Sequence, residues 1–131
     1  MSENFAIYRQ QTERRLFAYN DLKAKLSHDI SDLTASDRGA SDPPEAATET
    51  DGIRRQIAET ARELSRLDDA LDAVRDDCYF AVIRMRYLEG VKDEDIAERV
   101  CCDVSTVRRN RKRILQRVAV RLYGAAAVAR E

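Results

Sequence analysis

Residues 92–115 read KDEDIAERVCCDVSTVRRNRKRIL and decide the fold. The three consecutive acids at 93–95 favour the first turn of a helix, because the amino-terminal end of a helix carries partial positive charge. The two cysteines at 101–102 form a short connection, and Asp103 is a good side-chain cap for a second helix that begins at Val104. Two helices joined by so short a turn predict a helix-turn-helix.

The second of these helices has one apolar and one basic face when residues are placed about 100° apart. The apolar face carries Val107, Ile114 and Val118, flanked by Leu115 and Leu122. The opposite face carries Ser105, Arg108, Arg109, Lys112 and Gln116. When such a helix lies in the major groove, its amino-terminal part reaches the bases, and arginine can donate two hydrogen bonds to one guanine. The residues expected to read bases are Val104, Ser105, Arg108 and Arg109. Those expected to meet phosphates are Lys112, Arg113 and Arg117.

Composition supports an all-α protein. The chain of 131 residues has only two prolines and four glycines, and charged residues make up 36% of it, which suits exposed helices better than sheets. The part up to residue 75 is net acidic and the remainder is net basic. No apolar run is long enough to cross a bilayer and the first residues lack a signal pattern, so we expect a cytoplasmic protein without a membrane partner.

The amino-terminal part predicts a long, coiled-coil-like helical hairpin. A first amphipathic helix is expected over residues 4–34, and the turn-forming residues 35–51 predict a flexible linker. In the second helix, a mainly apolar series of residues that includes Thr60 alternates four and three residues apart from Ile53 to Val74. This spacing fits packing within one chain and pairing between two chains equally well.

We therefore expect three segments. Residues 1–75 form the hairpin or oligomerisation region, residues 76–124 form the helix-turn-helix domain, and residues 125–131 form a tail. The DNA-binding domain would begin with a helix that contains Phe80 and ends at Glu89-Gly90, since glycine readily adopts the left-handed conformation that closes helices.

The stretch RMRYLEGVKDEDIAERVCCDVSTVRRNRKRILQRV, residues 84–118, resembles region 4 of sigma-70-type factors and, more closely, phage regulators of the RinA and ArpU type. The shared features are a helix ending in Arg-Tyr before a glycine turn, then Asp-Ile-Ala, then Ser-Thr-Val-Arg-Arg with a basic continuation. The resemblance implies a three-helix DNA-binding domain that controls transcription of phage genes. It places four residues at the positions that touch promoter DNA: Ser105, Arg108, Arg109 and Lys112.

Two residues depart from this pattern. Cys101 stands where the family usually has glycine, which predicts a strained or altered turn. Lys92 replaces the usual threonine or serine cap and shifts the expected helix start to Asp93.

The sequence offers no arrangement typical of an enzyme, a metal site or a cofactor site. Cys78, Cys101 and Cys102 lack further ligands at zinc-site spacing, and the only histidine, His28, has no nucleophile or acid arranged around it. We therefore expect no catalytic residue, no metal and no cofactor.

Three functions remain open from the sequence. The first is a sequence-specific transcriptional regulator that binds double-stranded DNA as a homodimer. The second is a genome-packaging protein resembling the small terminase subunits, which also join a helix-turn-helix to an oligomerising helical region. The third is a sigma-like module that binds RNA polymerase.

Overall fold

The computed structural model describes residues 2–37 and 44–128. Its α-helices are α1 (Ser2–Phe17), α2 (Tyr19–Asp37), α3 (Pro44–Asp72), α4 (Phe80–Ile83), α5 (Asp93–Arg99) and α6 (Val104–Tyr123). A π-helical turn (Arg84–Leu88) continues α4, and a 3₁₀ turn (Gly124–Ala127) follows α6. These described residues contain no strand, and the predicted all-α class is confirmed.

The chain divides into two compact units at positions that differ from the predicted domain boundary. One unit, here called the discontinuous unit, comprises the residues up to Ala18 and those from Leu67 onward. The other, the inserted unit, comprises Tyr19–Arg66. The sequence predicted one region over residues 1–75, whereas the first helix and the end of α3 group with the carboxy-terminal helices. Hydrophobic spacing identifies a buried face but not its partner, so it does not predict this grouping.

The first predicted helix is interrupted. One helix was expected over residues 4–34, but α1 ends at Phe17 and α2 begins at Tyr19. The Ala18 amide still donates to the Arg14 carbonyl at 3.1 Å, so the departure from helical structure comes after that bond. No proline or glycine marks this position, and the break therefore has no local signal in the sequence.

Aromatic contacts hold α1 within the discontinuous unit. The rings of Tyr8 and Tyr123 are 4.9 Å apart, and those of Phe17 and Tyr87 meet edge to face at 4.7 Å. The Tyr87 hydroxyl donates a hydrogen bond to Glu13 Oε2 at 3.0 Å. Burial, with the Glu13 carboxylate nearby, raises the pKa of Tyr87 well above its ordinary value. The phenol therefore stays neutral and keeps its donor proton.

In the inserted unit, helical structure extends into the predicted linker from both sides. Of the range 35–51, α2 covers the residues to Asp37 and α3 those from Pro44, while residues 38–43 lie outside the described residues. Pro44 occupies the first position of α3, where its missing amide hydrogen costs no helical hydrogen bond. The linker was thus predicted too long, because the good helix formers that follow Pro44 outweigh the turn-forming composition.

The apolar stripe of the second predicted helix is buried mainly in its later part. Its later positions, Leu64, Leu67, Leu71 and Val74, are buried within a single chain. Ile53 and Ile57, near its start, are only half-buried. Burial of the later side chains therefore needs no second chain.

In the discontinuous unit, a hydrophobic cluster lies beneath α4, the π turn, α5 and α6. It consists of Val82, Met85, Ile96, Ala97 and Val107. Ala97 has the small side chain that close approach of two helices requires. This cluster holds α5 against α6 and leaves the other side of α6 available to solvent.

The predicted third helix ends where expected but is not α-helical throughout. The π turn is closed by the Glu89 amide, which donates to the Arg84 carbonyl five residues earlier at 3.1 Å. Gly90 then adopts a positive φ of 70°, which confirms its predicted role at the end of the helix.

The turn between α5 and α6 contains a cysteine in a conformation that favours glycine. Cys101 has a φ of 57°. The Cys102 amide donates to the Ala97 carbonyl at 3.0 Å and the Cys101 amide to the Glu98 carbonyl at 3.4 Å. These two bonds make a Schellman motif, whose left-handed position is usually glycine. A residue with a Cβ is strained there by about 1–2 kcal/mol, in line with the predicted strain.

The start of α6 at Val104 is confirmed, but its expected side-chain cap is not formed. Asp103 has the extended backbone of a capping residue, with φ −71° and ψ 152°, and its carbonyl accepts from the Val107 amide at 3.1 Å. Its carboxylate makes no capping hydrogen bond. The prediction of Asp103 as a side-chain cap is therefore wrong.

Candidate nucleic-acid interface

The two faces of α6 are divided as the sequence predicted, with one exception. The buried residues are Val107, Ile114, Leu115, Val118, Ala119 and Leu122. The exposed residues of the amino-terminal half include Ser105, Arg108, Arg109 and Lys112, while Val104 is half-buried at the helix start. Gln116 is the exception: it is half-buried and its Nε2 donates to the Ala127 carbonyl at 2.8 Å.

The same hydrogen bond involves a residue of the predicted tail. The sequence analysis assigned residues 125–131 to a tail. Of these, Ala127 is fully buried and lies in the 3₁₀ turn after α6. Residues 129–131 of this predicted tail lie outside the described residues.

Arg108 is partnered by two acids from the start of α5. Its Nε donates to Asp93 Oδ2 at 3.3 Å, and its Nη2 lies 3.7 Å from Glu94 Oε1. The Arg108 side chain remains 54% exposed, so its terminal nitrogens can still reach a ligand in solvent.

Asp93 is the centre of a cluster of arginines. From the sequence, Asp93 was expected only to favour the first turn of a helix. Its side chain is 12% exposed, and its Oδ1 accepts a hydrogen bond from Arg111 Nη1. Arg86 Nε lies 4.0 Å from the same oxygen. Arg111 is itself only 15% exposed. Three arginines therefore lie around one carboxylate. Arg86 and the two arginines of α6 come from different parts of the chain, and no local sequence pattern predicts that they meet.

Arg113 and Arg117, both expected to meet phosphates, are paired with Asp77. Arg113 Nη1 and Nη2 donate to the two carboxylate oxygens of Asp77, and Arg117 Nη1 lies 3.1 Å from Oδ2. The Asp77 side chain is 7% exposed, whereas the two arginines remain nearly half-exposed. Hydrogen bonding to Arg113 lowers the pKa of Asp77 well below its ordinary value, and the carboxylate raises the pKa of Arg113. No local sequence pattern indicates this pairing, because Asp77 lies 36 positions before Arg113.

Arg109 and Lys112 differ from Arg108 in their surroundings. Among the described residues, neither takes part in an ion pair. Arg109 Nη2 makes one long contact with Thr106 Oγ1 at 3.4 Å, and Lys112 is exposed. These two cations are therefore available to an anionic ligand without the rupture of an internal ion pair.

His28 lies in the inserted unit, and the three cysteines lie in the discontinuous unit. His28 is exposed on α2 and pairs with Asp32 at 3.2 Å. Cys78 and Cys101 are exposed free thiols, and Cys102 is half-buried. Across residues 2–37 and 44–128, no group of three His, Cys, Asp or Glu side chains has an arrangement that could hold a metal ion.

Comparison of the chain with family models, with curated proteins and with solved structures finds no match. In the described part of the chain, no helix combines the length and apolar character needed to cross a bilayer.

Proposed function

We propose that the chain is a sequence-specific DNA-binding transcriptional regulator in which α5 and α6 form a helix-turn-helix. The observation that carries the proposal is the division of α6, whose inner face lies in the hydrophobic core while Ser105, Arg108, Arg109 and Lys112 are exposed. A basic helix face fixed by a core beneath it suits insertion into the major groove. The resemblance noted above adds phage genes as the expected targets.

The proposed contacts fall into two classes. Val104, Ser105, Arg108 and Arg109, at the amino-terminal end of α6, read base edges, since this end of a recognition helix enters the groove. Lys112 binds a phosphate, a contact that positions the protein without reading sequence.

We assign Arg113 and Arg117 a role other than direct contact with DNA. Because both are held by Asp77, a direct phosphate bond would compete with an internal ion pair. Two cations and one carboxylate still leave a net positive charge on this side of α6. We therefore assign them to long-range attraction of DNA, which is weakened by salt.

Selection from a pool of random duplexes, followed by titration of the best site and of a scrambled duplex, tests the proposal. Arg109→Ala is expected to cost about 1–3 kcal/mol on the best site and to relax preference at one base position. Lys112→Ala should weaken both duplexes alike and reduce the salt slope by about 1.

Arg62→Ala is the matched control, since Arg62 is an exposed arginine of α3 in the inserted unit. It should change neither affinity. A folded wild-type protein that binds no duplex at low salt would refute DNA binding and favour the polymerase-binding alternative.

The proposal includes a homodimer, because a single helix-turn-helix makes few base contacts and a dimer binds two half-sites about one turn of DNA apart. We propose Ile53 and Ile57 as the pairing surface, because they are only half-buried in the single chain. Leu64 and Leu71 are already buried there. Replacing both isoleucines with glutamate should lower the mass measured by light scattering and weaken specific binding. A ring of many copies would instead favour a genome-packaging protein, and an unchanged mass would refute this surface.

A further inference from the structure

We infer that Asp93 is a positioning residue that fixes the Arg108 guanidinium for base reading, an inference that rests on the proposed function. Arginine is long and rich in rotamers, and ordering it on binding costs conformational entropy. The bond from Arg108 Nε to Asp93 Oδ2, at 3.3 Å, restrains the side chain before DNA arrives.

The bond to Asp93 uses only one edge of the Arg108 guanidinium. Two hydrogen bonds to guanine O6 and N7 require two donors on arginine, and the terminal nitrogens can supply them while Nε stays with Asp93. Nη2 also lies 3.7 Å from Glu94, but this carboxylate is 67% exposed and is free to move into solvent. Asp93 can therefore keep Arg108 in place while the terminal nitrogens bind a base.

Asp93 is itself held in position, which a positioning residue must be. Its side chain is 12% exposed and it is the first residue of α5, where a negative charge is favoured by the helix dipole. Its other oxygen accepts from Arg111, which lies on α6 one turn beyond Arg108. The carboxylate is thus tied both to its own helix and to the helix that carries the base-reading residue.

The charge of Asp93 also disfavours the wrong ligand for Arg108. The Asp93 carboxylate would repel a phosphate that approached this guanidinium closely. Guanine carries no net charge, so it would not meet this charge repulsion. Arg109 has no such carboxylate among the described residues. The two neighbouring arginines are therefore expected to differ, with Arg108 restrained toward bases and Arg109 freer to bind either bases or phosphates.

The test compares Asp93→Asn with Asp95→Asn in the full chain. Asp95 lies in the same first turn of α5 and is exposed, so its substitution makes the same change in charge without touching Arg108. The readout is the ratio of the dissociation constants for the selected duplex and the scrambled duplex at one salt concentration. Asp93→Asn should lower this discrimination about tenfold, through loss of one base preference. Asp95→Asn should tighten both duplexes slightly and leave the ratio unchanged.

A double-mutant cycle separates positioning from a structural effect. In an Arg108→Ala background, Asp93→Asn should cause no further loss of discrimination, because its effect acts through Arg108. If Asp93→Asn lowers discrimination in that background as much as it does in the wild type, the inference is overturned. It is also overturned if the single variant Asp93→Asn discriminates between the duplexes as well as the wild type does. A wild-type protein that discriminates between no duplexes overturns the proposed function together with this inference.

A measurement on the wild-type protein keeps the inference testable if Asp93→Asn does not fold. The Nε–Hε groups of Arg108 and Arg109 can be followed by nuclear magnetic resonance relaxation without DNA. Arg108 should show the higher order parameter of the two. Equal mobility of the two guanidinium groups would overturn the inference.

Discussion

The Asp77 carboxylate accepts two hydrogen bonds from the Arg113 guanidinium, from Nη1 at 2.7 Å and from Nη2 at 2.9 Å. It also accepts a hydrogen bond from the Tyr79 amide at 2.9 Å. One nearly buried carboxylate thus ties the segment before α4 to the middle of α6. Such a bidentate pair is defined in geometry and strengthened by charge, unlike most surface ion pairs.

Asp77→Asn is expected to lower the free energy of unfolding by about 1–2 kcal/mol, because a charge-assisted bidentate pair is lost while Arg113 keeps access to solvent. Urea denaturation at neutral pH measures the change. Asp76→Asn is the matched control, since Asp76 is exposed and adjacent in the chain. Equal effects of the two substitutions would show that the pair contributes nothing specific.

The same pair predicts a dependence of stability on acid. The pKa of Asp77 in the folded protein lies well below its ordinary value, so the folded state favours the ionised carboxylate. This contribution is fully present above about pH 5, where an unfolded aspartate is ionised, and is lost progressively as the pH falls toward the lower pKa of the folded state. The difference in unfolding free energy between wild type and Asp77→Asn should therefore shrink as the solution is acidified from pH 5. A constant difference down to pH 2.5 would contradict this assignment.

Cys101→Gly is expected to stabilise the protein by about 0.5–1 kcal/mol. Relief of the left-handed strain outweighs the greater freedom of glycine in the unfolded chain. Cys101→Val should destabilise it by about 1 kcal/mol or more, because a β-branched side chain tolerates positive φ poorly. Since Cys101 is exposed, loss of packing contributes little to either change. In thermal unfolding in a reducing buffer, the melting temperature should be highest for Cys101→Gly, intermediate for wild type and lowest for Cys101→Val. The reverse order would refute the strain at this position.

Leu16→Ala tests whether α1 belongs to the discontinuous unit. Leu16 is fully buried, and its truncation should cost about 2–4 kcal/mol. Ile7→Ala, on the same helix at a position that is 50% exposed, should cost less than about 1 kcal/mol. Hydrogen exchange of α6 amides in the Leu16→Ala variant should become faster. Unchanged exchange in α6 would mean that α1 does not stabilise this unit.

The features that the sequence predicted well are those with a local physical cause. The acids that begin with Asp93 favour a helix start, and Gly90 and Cys101 stand at positions where the backbone must reverse. The spacing of Val107 and Ile114 likewise places the basic residues of α6 on the outer face. Each of these signals lies within a few residues of the structure that it predicts.

The features that were missed depend on residues far apart in the chain. Asp77 and Arg113 are 36 positions apart, and Glu13 and Tyr87 are 74 apart. Amphipathic spacing identifies Leu16 as a buried position but contains no information about its partner. Charge counting treated Arg113 as a free cation for the same reason, because pairing within the chain is decided only by the tertiary fold.

The inserted unit separates two segments that must pack together, and this arrangement affects synthesis on the ribosome. The residues of α1 are made first, those of the inserted unit next, and those of α6 last. At cellular elongation rates of roughly 5–20 residues per second, α1 remains without its packing partner for about 5–20 s. During that interval the apolar side of the nascent helix around Leu16 is open to chaperones and to other nascent chains, whereas the inserted unit has all of its own residues as soon as Arg66 has been added.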